Sequence, residues 1–240
     1  MFEMTVKHLT TKKQFSDTRR MRLIQFFIPL VILHILTLIF FRGEWILTLT
    51  TKLLPMFVLI YLVGKNYGNL EKGQRLFLFG LLFSILGDAI LSEPFTLFIA
   101  GLISFLIAHL FYIFAFSRSS SLHLPRSIPF YILGGVLGYF LFPLIAPEMK
   151  NPVFIYGLAL TTMGWRIASR KTDSKSLWIG ISGAILFILS DSIIGFSQLA
   201  RLEIPNSTIL IMITYYSAQY LLYKSFSLNK GNGGTHEVIK

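Results

Sequence analysis

Asp88 and Asp191 lie where a carboxylate has no water to rely on. The first sits in Gly80-Leu-Leu-Phe-Ser-Ile-Leu-Gly-Asp88-Ala-Ile-Leu91 and the second in Gly183-Ala-Ile-Leu-Phe-Ile-Leu-Ser-Asp191-Ser-Ile-Ile194, each eight residues after a glycine. Of eleven Asp and Glu residues, these two alone fall inside apolar runs, and the other nine occupy loops or tails. An ionisable group among hydrocarbon side chains is a functional-site candidate by default. Two carboxylates in one water-poor site can share a proton, one serving as an acid while the other stays an anion. That pair suits general acid catalysis or a proton relay.

Other polar groups approach that depth or lie deeper. Asp88 and Asp191 come 13 and 15 residues after the starts of their apolar runs, roughly 20 Å along a helix. Lys52 lies seven residues into a run entering from the opposite side, so it approaches the same level. His109 and Tyr112 share a helix face through their three-residue spacing, and Tyr215, Tyr216 and Gln219 fall near the middle of the last run. These residues are expected to line one cavity toward the outer half of the bilayer. Plainer readings stand beside these. A membrane Asp can merely pin a neighbouring helix, Lys52 can snorkel outward, His109 can be a satisfied packing residue, and the Tyr215-Tyr216 pair reads first as packing. His8, His34, His109, His123 and His236 have no metal-ligand spacing, so neither a metal nor a cofactor is expected.

The elements that must position these groups follow from composition. With 54% hydrophobic and 14% charged residues and a mean hydropathy of +0.66, the chain reads as an all-α polytopic membrane bundle. Eight runs approach spanning length: Met21 to Phe41, Trp45 to Val63, Arg75 to Leu91, Phe95 to Phe116, Ile128 to Ala146, Pro152 to Ser169, Ser176 to Leu199 and Ser207 to Phe226. Prolines at 94, 125, 147, 152 and 205 punctuate them, as helix boundaries require. The expected organisation is a basic arm (1–20), an eight-helix transmembrane domain (21–226) and a polar tail (227–240). The first run is long enough to span and no cleavage site follows it, so no signal peptide is expected.

Charge sets the expected orientation. Of the 22 Lys and Arg residues, 17 fall on the side of the two termini and three on the other, which predicts cytoplasmic termini by the positive-inside rule. Arg166, near a cytoplasmic helix end, is expected to snorkel to the headgroups. Because the basic residues are dispersed among short loops, the net charge of +11 does not imply a nucleic-acid partner. Alignment of the two Asp stretches, each followed by a helix with a late Ala-polar step (Ala108-His109 and Ala218-Gln219), predicts two parallel four-helix repeats with the site at their interface.

Taken together, Thr51-Lys52-Leu-Leu-Pro55, the Gly87-Asp88 helix with Gly101 and Ala108-His109-Leu-Phe-Tyr112, and Gly183 to Asp191 followed by the Tyr-rich Ala218-Gln219 helix resemble the YhhN-like lysoplasmalogenase family. The resemblance runs from the second expected helix to the eighth. It implies an eight-helix membrane hydrolase that cleaves the vinyl ether of lysoplasmalogens to a fatty aldehyde and glycerophosphoethanolamine or glycerophosphocholine, with a lysophospholipid substrate and surrounding membrane lipid as its partners. It also implies catalytic roles for Asp88 and Asp191. Lys52, His109, Tyr112, Tyr216 and Gln219 are the candidates for binding or orienting substrate and water, with Lys52 open to either the anion or the phosphate. The bacterial cytoplasmic membrane is the expected location. A proton-coupled transporter is the rival reading, in which the same Asp pair relays protons.

Overall fold

The computed structural model describes residues 25–41, 43–65, 68 and 70–228. The expected basic arm (1–20) and nearly all of the expected tail lie outside these. The described residues form eight α-helices: α1 Phe27–Phe40, α2 Trp45–Gly64, α3 Lys72–Leu91, α4 Phe98–Ser117, α5 Ile128–Leu141, α6 Pro147–Ala168, α7 Ser174–Ile194 and α8 Ser207–Leu228. Short 3-10 turns at Leu124–Ser127 and Phe142–Leu144 flank α5, and a π-turn at Gly195–Leu199 extends α7. Among the described residues the only strand-like pairing is an isolated bridge between Ser120 and Arg170.

Five segments are long and apolar enough to cross a membrane: Trp45–Gly64, Lys72–Leu91, Phe98–Ser117, Leu124–Leu144 and Ser174–Leu199. The chain is therefore an all-helical, multi-pass membrane protein. Its surface supports this reading, because Phe40, Tyr139 and Trp178 are among many large apolar or aromatic side chains left exposed, whereas His109, Gln219, Ser84 and Ser190 are wholly buried. Hydrocarbon outside and polar groups inside is the arrangement a bilayer selects.

Local sequence explains where several helices begin. The Gln74 side chain accepts from the Glu71 backbone amide at 3.1 Å at the start of α3, and Asp173 accepts from the Ser176 amide at 2.9 Å at the start of α7. Each satisfies a donor that a first helical turn leaves free. Pro147 opens α6, five residues earlier than its expected start at Pro152. A proline at the first helical position loses no hydrogen bond, and Pro152 falls in the next turn without breaking the helix.

Consecutive helices pack as neighbours from α1 to α4 and from α5 to α8, while α4 meets α6, and α8 meets α1 and α2. The closest pairs are α3 with α4 and α7 with α8. Small residues make this approach possible. A methyl group at Gly80 would strike the Tyr112 ring, and one at Gly183 would come within 3.1 Å of Leu222. Arg166 departs from expectation. Its side chain is largely covered by the protein, with Nε donating to Ser117 Oγ at 2.8 Å. Ser117, the last residue of α4, supplies the polar partner that the bilayer surface was expected to provide.

Candidate active site

Asp88 is buried near the C-terminal end of α3. Tyr215 on α8 donates to its Oδ2 at 2.6 Å, and Lys52 on α2 places Nζ 3.7 Å from its Oδ1. The same ammonium donates to the Asp88 carbonyl at 3.1 Å and to Ser92 Oγ at 3.0 Å. Lys52 therefore turns inward instead of snorkelling away, and its side chain is 12% exposed. Its own carbonyl is held by Tyr216 Oη at 2.8 Å.

Asp191 occupies the matching place on α7 and has different company. Tyr156 on α6 donates to its Oδ2 at 2.5 Å, and His109 Nε2 on α4 lies 3.7 Å from the same oxygen. The His109 ring is fully buried between Tyr156 and Phe187, at centroid distances of 5.1 and 4.9 Å, and neither ring nitrogen has a hydrogen-bond partner. Asp191 and Tyr156, with Thr161 and Ser192, contribute polar groups to a cavity of about 420 Å³ whose walls are otherwise mainly apolar, including Phe98, Leu102, Phe105 and Leu160. Gly195 and Leu199 of the π-turn also line it, and such turns are frequent at functional sites.

The remaining candidates form a third group. Tyr112 Oη donates to Gln219 Oε1 at 2.8 Å, and Gln219 Nε2 donates to Ser84 Oγ at 3.1 Å, all of it buried. This closed triad makes Tyr112 and Gln219 fixed groups that tie α3, the helix carrying Asp88, to α4 and α8. Aromatic contacts connect the centres: Tyr215 meets Phe187 at 5.7 Å and Phe105 at 6.0 Å, and Phe187 meets His109.

The sequence expectation of one cavity thus resolves into two. A second, more polar cavity of about 570 Å³ is lined by Lys52, His34, Ser92 and residues at the start of α8, and Leu91 belongs to both walls. His109 and Tyr112, although on one helix face, are one turn apart, meet different partners and line neither cavity. Two participants escaped the sequence reading, and a third was named there mainly for packing. Tyr156 had no motif to announce it. Tyr215, read as packing, is the Asp88 donor, and Ser92 lies one turn after Asp88, a spacing that could have signalled a shared helix face. Each Asp is met by one residue from the second helix of its own half (Lys52 or Tyr156) and one from the last helix of the other half (Tyr215 or His109). The arrangement provides two carboxylates in contrasting settings, one beside a cation and one beside an apolar chamber.

The sequence profile of the YhhN family matches residues 47–226. The human protein lysoplasmalogenase TMEM86A is 32% identical over 211 residues, which cover 84% of this chain and 86% of that protein. Lysoplasmalogenase TMEM86B of Sus scrofa is 32% identical over 197 residues, covering 78% and 77%, and the human TMEM86B protein is 36% identical over 146 residues, or 59% of each. No solved structure matches. The match extends from α2 to α8 and includes both Asp helices and every group that meets them, and the chain belongs to the YhhN family.

Proposed function

We propose that the protein is an integral-membrane lysoplasmalogenase that hydrolyses the vinyl ether of a lysoplasmalogen to a fatty aldehyde and a glycerophosphoethanolamine or glycerophosphocholine, with Asp191 as acid and Asp88 as anion. The observation that carries this reading is the contrast between the two carboxylates. Asp191 opens on an apolar cavity of about 420 Å³ suited to a single hydrocarbon chain, while Asp88 lies 3.7 Å from the Lys52 ammonium. The names of the relatives support the reaction class.

The chemistry follows in balanced steps. Asp191 transfers its proton to the outer alkene carbon, and the charge developing on the carbon next to oxygen becomes an oxocarbenium ion. The Asp88 carboxylate, fixed by Tyr215 and Lys52, stabilises that cation electrostatically, the role an anion plays in glycoside hydrolysis. Water adds to the cationic carbon and yields its proton to the Asp191 carboxylate, restoring the acid. The hemiacetal then collapses to aldehyde and alcohol. His109, 3.7 Å from Asp191, is placed to orient the water.

The same reading holds that all eight helices cross the bilayer as two parallel four-helix repeats. In its support, the neighbour pattern of α1 to α4 recurs in α5 to α8, and the halves exchange Tyr215 and His109 across their interface. On the positive-inside asymmetry we assign both termini to the cytoplasm, with a bacterial cytoplasmic membrane as the location.

Purified protein given lysoplasmenylethanolamine should release aldehyde. Asp191→Asn and Asp88→Asn should each lower kcat by about 100-fold or more, the usual contribution of a positioned acid or charge. Unchanged turnover in either folded variant would remove that residue from the mechanism. Proton uptake driven by a solute in vesicles, without aldehyde, would favour the transporter.

A further inference from the structure

The polar cavity beside Lys52 has a feature that the hydrolytic mechanism does not use. His34 on α1 is 1% exposed, lines this cavity, and leaves Nε2 without a hydrogen-bond partner. Its other nitrogen, Nδ1, lies 3.0 Å from Thr51 Oγ1. The single Thr51 hydroxyl proton is directed to the carbonyls of Leu47 at 2.8 Å and Thr48 at 3.2 Å. With that proton on a carbonyl, Thr51 accepts from His34, and we assign the tautomer in which Nδ1 carries the ring proton and Nε2 is a bare acceptor. The Tyr216 ring meets the imidazole edge-on at 5.9 Å and supports its orientation. A buried acceptor left without a donor is unfavourable, and such groups in native proteins ordinarily have a partner. The partner missing here is a donor that enters from the cavity.

The rest of the wall shows what that donor belongs to. Lys52 lines the cavity, and so do Asn206, Ser207 and Thr208 at the N-terminal end of α8, where the helix dipole favours an anion. Glu93 and Trp45, both exposed, also line it, and they offer a carboxylate and an aromatic face to an ammonium group. An anion, a cation and a hydroxyl donor within one cavity of about 570 Å³ describe a zwitterionic glycerophosphodiester. We propose that this cavity holds the glycerophospho headgroup, with the phosphate toward Lys52 and the α8 N terminus and the glycerol sn-2 hydroxyl donating to His34 Nε2. The assignment rests on the proposed function and deepens it. The headgroup takes one cavity and the alkenyl chain takes the other, and the two adjoin at Leu91, which lines both. Recognition of the free sn-2 hydroxyl would give the site its preference for lysolipids, because an acylated sn-2 oxygen has no proton to donate.

Calorimetry on the full-length protein in detergent tests the assignment without turnover, using glycerophosphoethanolamine and its 2-deoxy analogue. Wild type should bind the deoxy compound about threefold to tenfold more weakly, the usual worth of one hydrogen bond. His34→Leu should bind the two compounds equally, and His34→Gln, which restores an acceptor, should recover discrimination. Equal binding of both compounds by wild type, undiminished discrimination by His34→Leu, or no binding of glycerophosphoethanolamine at millimolar concentration would overturn the site. If His34→Leu fails to fold, the wild-type comparison and His34→Gln decide the question. Aldehyde release without hydroxyl discrimination defeats this site and leaves the hydrolase standing. Discrimination without aldehyde release defeats the hydrolase and leaves the headgroup site.

Discussion

Tyr156 and Tyr215 perform the same act on two different carboxylates, and the difference lies in what else each carboxylate touches. Asp88 has a lysine within 3.7 Å, whereas the other named neighbours of Asp191 are rings and an apolar chamber. A phenol donating to one carboxyl oxygen leaves the second oxygen of Asp191 to carry the proton that the proposed acid role requires. Tyr156→Phe should therefore lower kcat about threefold to tenfold, the usual effect of losing one hydrogen bond. KM for the lysolipid should change little, because the hydrocarbon walls remain. Steady-state kinetics across alkenyl substrates would separate the two parameters, and a change confined to KM would show that Tyr156 binds substrate instead of holding the acid.

At the level of helices, the entry to α7 sets the phase with which Asp191 reaches the site. The Ser176 amide donates to Asp173 and holds its carboxyl below the usual 3.8. A carboxyl depressed on folding contributes stability that is full above its unfolded value and is lost as pH falls through the lower folded one. Asp173→Ala should thus lower the thermal midpoint at neutral pH, and the gap from wild type should close as pH falls below 3.8. Thermal unfolding at a series of pH values measures this, and a gap independent of pH would mean that the cap works without its charge. Helix contacts also explain the glycines. Gly80 leaves room for Tyr112 and Gly101 for Leu91, so the residues that fix the Tyr112–Gln219 lock and the boundary between the cavities rest on positions without side chains.

Across the whole molecule, the proposed substrate, half lipid and half headgroup, would divide between the hydrocarbon chamber and the polar cavity. Gly157 lines the chamber and has open space where a Cβ would stand. Gly157→Leu should fill part of it without harming the fold. Long alkenyl chains should lose about tenfold in kcat/KM, the worth of roughly two methylenes at about 0.8 kcal/mol each, while short chains are spared. A loss independent of chain length would place the hydrocarbon elsewhere. Much of this architecture was legible in the amino-acid order. Eight apolar runs yielded eight helices, and the embedded Asp residues stood out because burying a carboxylate in hydrocarbon is so unfavourable that few such positions survive without a role. Lys52 was legible at the right depth for the same reason, since helical rise converts residue number into height. Azimuth was not legible, because membrane helices apolar on all sides carry no stripe to say which face looks inward. The sequence by itself therefore determined the class of fold, the helices and the heights of the charged groups. Only tertiary packing decided that Tyr156 and Tyr215 meet the carboxylates, that His109 and Tyr112 part company, that Arg166 is buried, and that two cavities replace one, because each depends on how helices distant in sequence rotate against one another.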